Sequence, residues 1–415
     1  MGTTGSDGQL PRGCAAALGA QIAALGAIPT AHNRSVMAID QSPLSIDAER
    51  LNASIHETAE FGAALRYGEG PTETGMARLA LDDNDARVRR WFVEQVQNAG
   101  CKVIVDELGN IFAIRPGKKA GPPTAMGSHL DTQSTGGRYD GILGVLSGVE
   151  VMRTLHDNGI VTEFPVAVVD WTNEEGARFP KTVVASGVWA GDLDLETAYK
   201  LADVNDPTAT MKSELTRIGF LGDIKCSHEA MPLAAHFELH IARCIVANNA
   251  IAKKHGALSS TGILTLSPGS TNVCPSHVRF SLDIRHPTTA GLNETCASIN
   301  AEMLRIAAED SEQGCRLEIT VDRDSDAPVF DETAINCVRA SAVATVGPDQ
   351  VLEMYSGAAH DSCSTARRAP TAMVFVPSKD GISHNPTEYT SPKDCATGAQ
   401  VLLHAVLNYD KQRQA

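Results

Sequence analysis

The order of apolar and polar positions predicts that strands and helices alternate along much of the chain. Residues 44–66 and 82–100 have apolar side chains at helical spacing. Short apolar runs separated by turns follow within residues 102–128 and are typical of strands. Another helix is predicted over 141–158, and another strand over 164–173. Strands that alternate with helices in this way favour an α/β sheet.

The pattern changes after His240. Strand-like runs at 263–270, 277–286 and 315–323 flank a predicted helix at 293–310. This order predicts a small α+β unit inserted into the larger domain. Helical and strand patterns of the larger domain then resume and end in a helix over residues 391–408.

The length of 415 residues predicts more than one domain. We expect an N-terminal extension over 1–43 and a discontinuous α/β domain formed by 44–243 and 326–415. The inserted unit is then 244–325.

Charge and composition exclude several classes of partner. The net charge of −15 disfavours nucleic acid and anionic membrane surfaces, and no apolar run is long enough to span a membrane. The ten cysteines include no CxxC pair, which favours buried reduced thiols over a disulfide framework or a zinc knuckle. We therefore expect a cytoplasmic protein.

The residues most suited to chemistry lie close together in sequence. One glycine-rich segment, GSHLDTQSTGGRYDG, contains His129, Asp131 and Asp140, and the acidic pair Glu174 and Glu175 follows in WTNEEGARF. Neutral imidazoles and carboxylates are ligands of divalent metals such as zinc. An additional carboxylate is what a metal-activated water needs as its base. The pattern predicts a metallohydrolase.

Two more histidines extend this ligand set. His240 closes the run HFELHI, in which His236, Glu238 and His240 share one face of a strand, and His384 lies in the loop PSKDGISHNPTEY. Taken singly, such histidines are more often core residues than ligands. Together with the earlier residues, they complete a set of five ligands, enough for two metals that share one carboxylate.

These strings resemble the M20/M28 clan of dinuclear zinc hydrolases. More narrowly, GSHLDTQ, GGRYDGILGVLSG, TNEEGARF, FELHI, SGAAHDS and GISHNPTEY resemble its amidase, or hydantoinase/carbamoylase, branch. This branch contains N-carbamoyl-L-amino acid hydrolases, yeast-type β-ureidopropionases and allantoate amidohydrolases. The resemblance implies a zinc-exopeptidase-like α/β catalytic domain with a central mixed sheet, and an inserted α+β lid that also mediates dimerisation.

The resemblance also implies the metal ligands. His129, Asp140, Glu175, His240 and His384 would bind two divalent ions, with Asp140 bridging them. Zinc is the first expectation, and manganese and cobalt are alternatives.

The same resemblance gives roles to the other polar residues. Glu174 would be the general base, and Asp131 would hold a ligand histidine in place. Arg285 would pair with the carboxylate of a small anionic substrate, helped by Asn272. Without the resemblance, a surface ion pair with Asp283 is the alternative for Arg285.

Two further residues are assigned near the substrate. His360 would support the site from the segment SGAAHDS. Arg243 stands where the family has a substrate-binding glutamine, so it would add a second cation near the acidic end of the substrate.

The lid is shorter in this chain than the family pattern. The strand, the helix and the His-Ala-Gly segment that open the family lid are not recognisable between Cys244 and Gly256. The resemblance implies a homodimer formed through the lid, and a shortened lid would weaken that contact.

Three functions follow from these patterns. The first is an amidohydrolase that cleaves a non-peptide C–N bond of an N-carbamoyl or related ureido acid. The second is an aminoacylase or dipeptidase of the same clan. The third is a metal-binding relative whose catalysis is impaired by the shortened lid.

Overall fold

The computed structural model of the protein describes most of the chain. It covers residues 44–241, 256–260, 264–267, 277–309, 316–321 and 326–413. Arg243 and Asn272, both predicted to contact substrate, lie outside the described residues.

The described strands are short. They are β1 (Ala63–Arg66), β2 (Thr74–Met76), β3 (Lys102–Val105), β4 (Ile111–Arg115), β5 (Thr124–Ser128), β6 (Val166–Asp170), β7 (Ala235–Ile241), β8 (Leu258–Ser260), β9 (Leu264–Ser267), β10 (His277–Phe280), β11 (Asp283–Arg285) and β12 (Thr371–Val376).

The described α-helices range from one turn to six. They are α1 (Ala48–Ala59), α2 (Asp83–Asn98), α3 (Ile142–Asp157), α4 (Val184–Ala190), α5 (Leu195–Tyr199), α6 (Met211–Ile218), α7 (Thr289–Glu309), α8 (Glu332–Val346), α9 (Asp361–Thr365) and α10 (Pro392–Gln412).

A central mixed sheet organises these elements, in the order β12-β7-β5-β6-β4-β3. The strands from β12 to β6 pair in parallel, whereas β4 is antiparallel to both β6 and β3. The predicted α/β fold with a mixed sheet is confirmed. Parallel strands end at the same edge of a sheet, which is where open α/β sheets place their sites.

Helix α3 packs closely on this sheet because it carries small residues. A Cβ on Gly144 would lie 2.7 Å from the Leu239 carbonyl oxygen of β7, and one on Gly148 would lie 2.8 Å from Val168 Cγ1 of β6. The helix is buried around most of its circumference. The backbone at its N-terminus is thereby fixed next to the ends of the parallel strands.

The predicted helices over 82–100, 141–158 and 391–408 are confirmed as α2, α3 and α10. Asp82 caps α2 by accepting the Asp85 amide at 2.7 Å. Gly100, with φ of 80°, follows its end.

Three local predictions were wrong. The helix expected over 44–66 ends at Ala59, because Gly62 takes a φ of 112° and the chain turns into β1. The strand expected at 277–286 is two strands in two separate sheets, with β10 paired to β9 and β11 paired to β8. The described part of the run 315–323, residues 316–321, forms no strand. The domain boundaries stay predictions.

Candidate metal centre

The polar residues singled out from the sequence meet at the carboxyl edge of the parallel strands. His129 directly follows β5, Glu174 follows β6, and His240 lies near the end of β7. His384 is on the loop after β12, and Asp140 precedes α3. Segments far apart in sequence are therefore brought to one place by the order of the sheet.

Asp140 lies between two histidines. Its Oδ1 is 2.9 Å from His240 Nε2, and its Oδ2 is 3.1 Å from His384 Nε2. Burial opposes ionisation of Asp140, but the two imidazoles outweigh it and hold the pKa of this carboxyl well below its usual range. A buried carboxylate that presents one oxygen to each of two histidines has the form of a bridging ligand.

The donor atoms form two adjoining groups around Asp140. Within each group, one donor atom from each residue lies within 4.8 Å of the others. The first group is His129, Asp140 and His240, and the second is Asp140, Glu175 and His384. In the second group, His384 Nε2 lies 3.3 Å from Glu175 Oε2.

His129 provides the clearest test of whether a metal fits. Its Nδ1 lies 2.8 Å from the carbonyl oxygen of Asp131, while its buried Nε2 has no hydrogen-bond partner among the described residues. Burial lowers the pKa of His129 to about 4, so the ring is neutral at pH 7. A neutral imidazole held at one nitrogen, with the other unsatisfied and facing carboxylates, fits a divalent ion. The donor set of imidazoles and carboxylates fits it as well.

The adjacent glutamates have different surroundings. Glu174 Oε2 lies 3.5 Å from His129 Nε2, whereas Glu175 accepts a hydrogen bond from Gln133 Nε2 at 2.9 Å. Burial, with the carboxylates of Asp361 and Glu175, raises the pKa of Glu174 well above its usual range. Burial and Asp140 raise the pKa of Glu175 to about 7. These differences agree with separate roles for the two residues.

Asp131 acts on this edge through both its carbonyl and its side chain. The carbonyl contacts His129, and the carboxylate oxygens accept the amides of Glu174 and Glu175, each at 3.3 Å. Asp131 therefore ties the segment after β5 to the segment after β6. The carboxylate itself comes no closer than 3.8 Å to His129 Nδ1, so the contact with this histidine is made by the main chain.

Backbone conformations that are rare for side-chain-bearing residues occur at the site. His384 has a φ of 55°, and Asn173, directly before Glu174, has a φ of 56°. Such conformations cost about 1–3 kcal/mol and persist where the surrounding structure determines them. Gly141 has a φ of 68°, and a Cβ there would lie 2.3 Å from His129 Cε1.

His360 lies next to the first group but not within it. Its ring packs against His240 with centroids 4.5 Å apart, and its Nε2 lies 2.7 Å from Ser356 Oγ. Within the described part of the chain, its buried Nδ1 has no hydrogen-bond partner. With Glu238 and His240 it forms a third group of close donor atoms, but Glu238 already accepts hydrogen bonds from other side chains.

Arg285, predicted to bind the substrate carboxylate, contacts residues of its own chain. Its Nε lies 3.0 Å from both carboxylate oxygens of Asp283. Its Nη1 donates to the Gly357 carbonyl oxygen at 2.8 Å, which connects β11 to the segment that carries His360. The ion pair considered as the alternative is thus formed, at the border of the site.

Sequence reasoning missed Glu388. Its Oε1 accepts the amide of Asp140 at 3.0 Å, and its Oε2 accepts the amide of His384 at 3.2 Å. Burial, with the Asp140 carboxylate, raises the pKa of Glu388 to about 8. Its place four residues after His384, within the motif GISHNPTEY, was the available signal.

An α/β sheet whose carboxyl edge holds two groups of candidate ligands that share one carboxylate fits the class of proteins that bind divalent metal ions. Comparison with known sequences then places it more narrowly. The profile described as "Peptidase family M20/M25/M40" matches residues 125–408, and the chain belongs to this family.

Its relatives include enzymes. An N-carbamoyl-L-amino-acid amidohydrolase of Rhizobium meliloti is 36% identical over 87% of this chain and 96% of the relative. A ureidoglycolate hydrolase of Arabidopsis thaliana is 27% identical over 87% of this chain and 86% of that protein. The crystal structure of a hydantoinase/carbamoylase family amidase from Burkholderia vietnamiensis is 36% identical, with a TM-score of 0.75, and covers 88% of this chain and 98% of the other.

None of the described helices is both long enough and apolar enough to cross a membrane.

Proposed function

We propose that this protein is a metal-dependent amidohydrolase that cleaves the ureido C–N bond of an N-carbamoyl amino acid or a related ureido acid. The observation that carries the proposal is Asp140, whose two oxygens lie 2.9 Å and 3.1 Å from His240 and His384. The names of the relatives support this substrate class, because both sequence relatives described above act on carbamoyl or ureido compounds by name.

His129, Asp140 and His240 are proposed to hold one ion, and Asp140, Glu175 and His384 the other. Zinc is the proposed metal because imidazoles and carboxylates are its usual ligands, with manganese and cobalt as alternatives. When bound, the ions supply Lewis acidity, which makes water more acidic and polarises the carbonyl group of the substrate.

Glu174 carries the proton in this proposal. Its carboxyl group lies beside the first ligand group, and burial raises its pKa well above the usual range of a glutamate. Catalytic acids and bases commonly have pKa values raised in this way. It accepts a proton from the attacking water and delivers it to the leaving nitrogen. For an N-carbamoyl amino acid, the products are the free amino acid, carbon dioxide and ammonia.

Replacing each of the adjacent glutamates tests these roles. Glu174→Gln should keep both metals and lose activity by about 10²- to 10⁴-fold, the range of general acid–base catalysis. Glu175→Gln, the matched control one residue away, should lower metal content as well. Elemental mass spectrometry and ammonia release measure the two effects. Turnover retained by Glu174→Gln would exclude it as the base.

Arg285 is proposed to bind the substrate carboxylate, and His360 to contact the same substrate. This requires Arg285 to exchange its contacts with Asp283 and Gly357 for the substrate. The additional contacts proposed for Arg243 and Asn272 come from the sequence alone. Arg285→Lys should raise KM more than it changes kcat, because it loses the two-pronged contact.

An impaired relative is the second candidate, and one observation favours it. The alignment with the Rhizobium relative extends over 417 positions, yet 87% of this chain takes part. An alignment of this kind arises when the relative has residues that this chain lacks, and the shortened lid of this candidate requires such missing residues. Bound metal without turnover on ureido acids, acyl amino acids or dipeptides would establish this candidate.

The remaining properties follow from the same proposal. The inserted segment 244–325 is proposed as the shortened lid, and a homodimer through it is the proposed assembly. The cytoplasm is the proposed location. Light scattering of the purified protein distinguishes a dimer from a monomer.

A further inference from the structure

Glu388 joins two chain segments that each provide a candidate ligand. Its Oε1 accepts the amides of Asp140 at 3.0 Å and Tyr139 at 3.3 Å, and its Oε2 accepts the amide of His384 at 3.2 Å. One carboxylate therefore holds the segment before α3 and the loop after β12 at a fixed separation. The side chain is buried, with 2% of its residue surface exposed.

The neighbouring backbone makes room for this carboxylate. A Cβ on Gly137 would lie 2.4 Å from Glu388 Cβ and 2.6 Å from its Oε1. Pro386, in the same loop, packs against Gly75 of β2, where a Cβ would lie 2.6 Å from the proline Cβ. The loop that carries His384 therefore packs against two glycines, and Glu388 links it to Asp140 by a hydrogen bond.

The two groups of candidate ligands differ in how far their positions depend on the hydrogen bonds to Glu388. His129 and His240 of the first group lie at the end of β5 and within β7, so the sheet places them. In the second group, His384 lies on a loop and has a φ of 55°. Glu388 accepts the amide of Asp140, which both groups share, and the amide of His384, which only the second group contains. Through His384, the second group depends on Glu388 more than the first does.

We propose that Glu388 is a positioning residue that sets the affinity of the second metal site, formed by Asp140, Glu175 and His384, while leaving the first site largely intact. The proposal rests on the proposed metal centre. Groups that orient ligands commonly change metal affinity by about 10- to 100-fold.

Equilibrium dialysis against graded Zn²⁺, followed by elemental mass spectrometry, tests this assignment without an activity assay. The wild-type protein should bind two Zn²⁺ per chain. Glu388→Gln, which keeps the shape but replaces one acceptor oxygen with a donor, should bind the second Zn²⁺ about 10- to 100-fold more weakly and change the affinity of the first by a smaller factor. Two Zn²⁺ bound by this variant as tightly as by the wild type would overturn the proposal.

Glu150→Gln is the matched control. Glu150 is also fully buried and also accepts a main-chain amide, from Asp47 at 3.0 Å, but it lies on α3 away from the ligands. Both of its Zn²⁺ affinities should equal the wild-type values. If this control lost as much affinity for the second Zn²⁺ as Glu388→Gln does, the loss would be common to buried glutamates, and the specific role of Glu388 would be overturned.

A measurement on the wild type alone keeps the proposal testable if the variant does not fold. Amide hydrogen exchange of the metal-free protein should show protection of Asp140 and His384, because Glu388 accepts both amides without metal. Rapid exchange of both would contradict the proposal. Absence of Zn²⁺ from the wild type would instead overturn the metal centre and this role together.

Discussion

At the residue scale, Gly141 determines whether the His129 ring can take its position in the candidate metal centre. Its Cα approaches the His129 ring so closely that a Cβ would lie 2.3–2.4 Å from three ring atoms. The sequence identified His129 and Asp140 from their chemistry, but no residue pattern could give this distance. Glu388 was missed for a similar reason, because its function depends on a contact between segments 248 residues apart.

Gly141→Ala should displace the His129 ring and weaken metal binding strongly, by about tenfold or more. It also places a side chain at positive φ, which costs about 1–2 kcal/mol. Gly159→Ala separates the two effects, because Gly159 has a φ of 62° and a Cβ there would meet no atom of the described residues within 4 Å. Isothermal titration with Zn²⁺ should show normal affinity in Gly159→Ala. Equal affinities in the two variants would contradict the steric argument.

The segment that follows β5 illustrates the element scale. Leu130, between His129 and Asp131, donates its amide to Asp170 at 3.0 Å and accepts a hydrogen bond from Arg78 Nε at 2.8 Å. The strand pattern predicted β5, but nothing in the sequence indicated that a buried arginine fixes the chain after it. Helix periodicity likewise predicted α2 and α3, and it failed where Gly62 turned the chain into β1.

Arg78→Met should destabilise the fold by about 3 kcal/mol or more. The loss leaves the carbonyl oxygens of Leu130, Thr58 and Phe61 without the guanidinium that now contacts them. Urea unfolding of the metal-free protein measures this change. Arg115→Met is the control. Arg115 donates to the Ile160 carbonyl oxygen at 2.6 Å, so its replacement should lower the free energy of unfolding by about 1 kcal/mol. Similar unfolding free energies for the two variants would contradict the account.

At the scale of the whole molecule, the alternating pattern predicted the sheet, and the polar motifs predicted the candidate ligands that lie together at its edge. The strands between β7 and α7 were predicted less well, because in the described residues they pair in two separate two-stranded sheets instead of following one continuous pattern. The partners of Arg285 depend on that packing, so the sequence alone left both its substrate contact and its ion pair open.

Metal binding should stabilise the entire fold, because the candidate ligands come from β7, from the segments that follow β5, β6 and β12, and from the start of α3. At free metal 100-fold above Kd, each site should add about 2.7 kcal/mol to the free energy of unfolding. Thermal unfolding with Zn²⁺ and with a chelator measures the difference. Identical transitions in the two conditions would show that the folded state does not bind the metal preferentially.

The central claim is that this chain hydrolyses ureido acids with a dinuclear metal centre. Ammonia release from a panel of N-carbamoyl-L-amino acids, by folded protein containing two equivalents of metal, tests it most directly. The account predicts ammonia and free amino acid in equal amounts, and no release after chelation. Folded, metal-loaded protein that releases no ammonia from any member of the panel would contradict it.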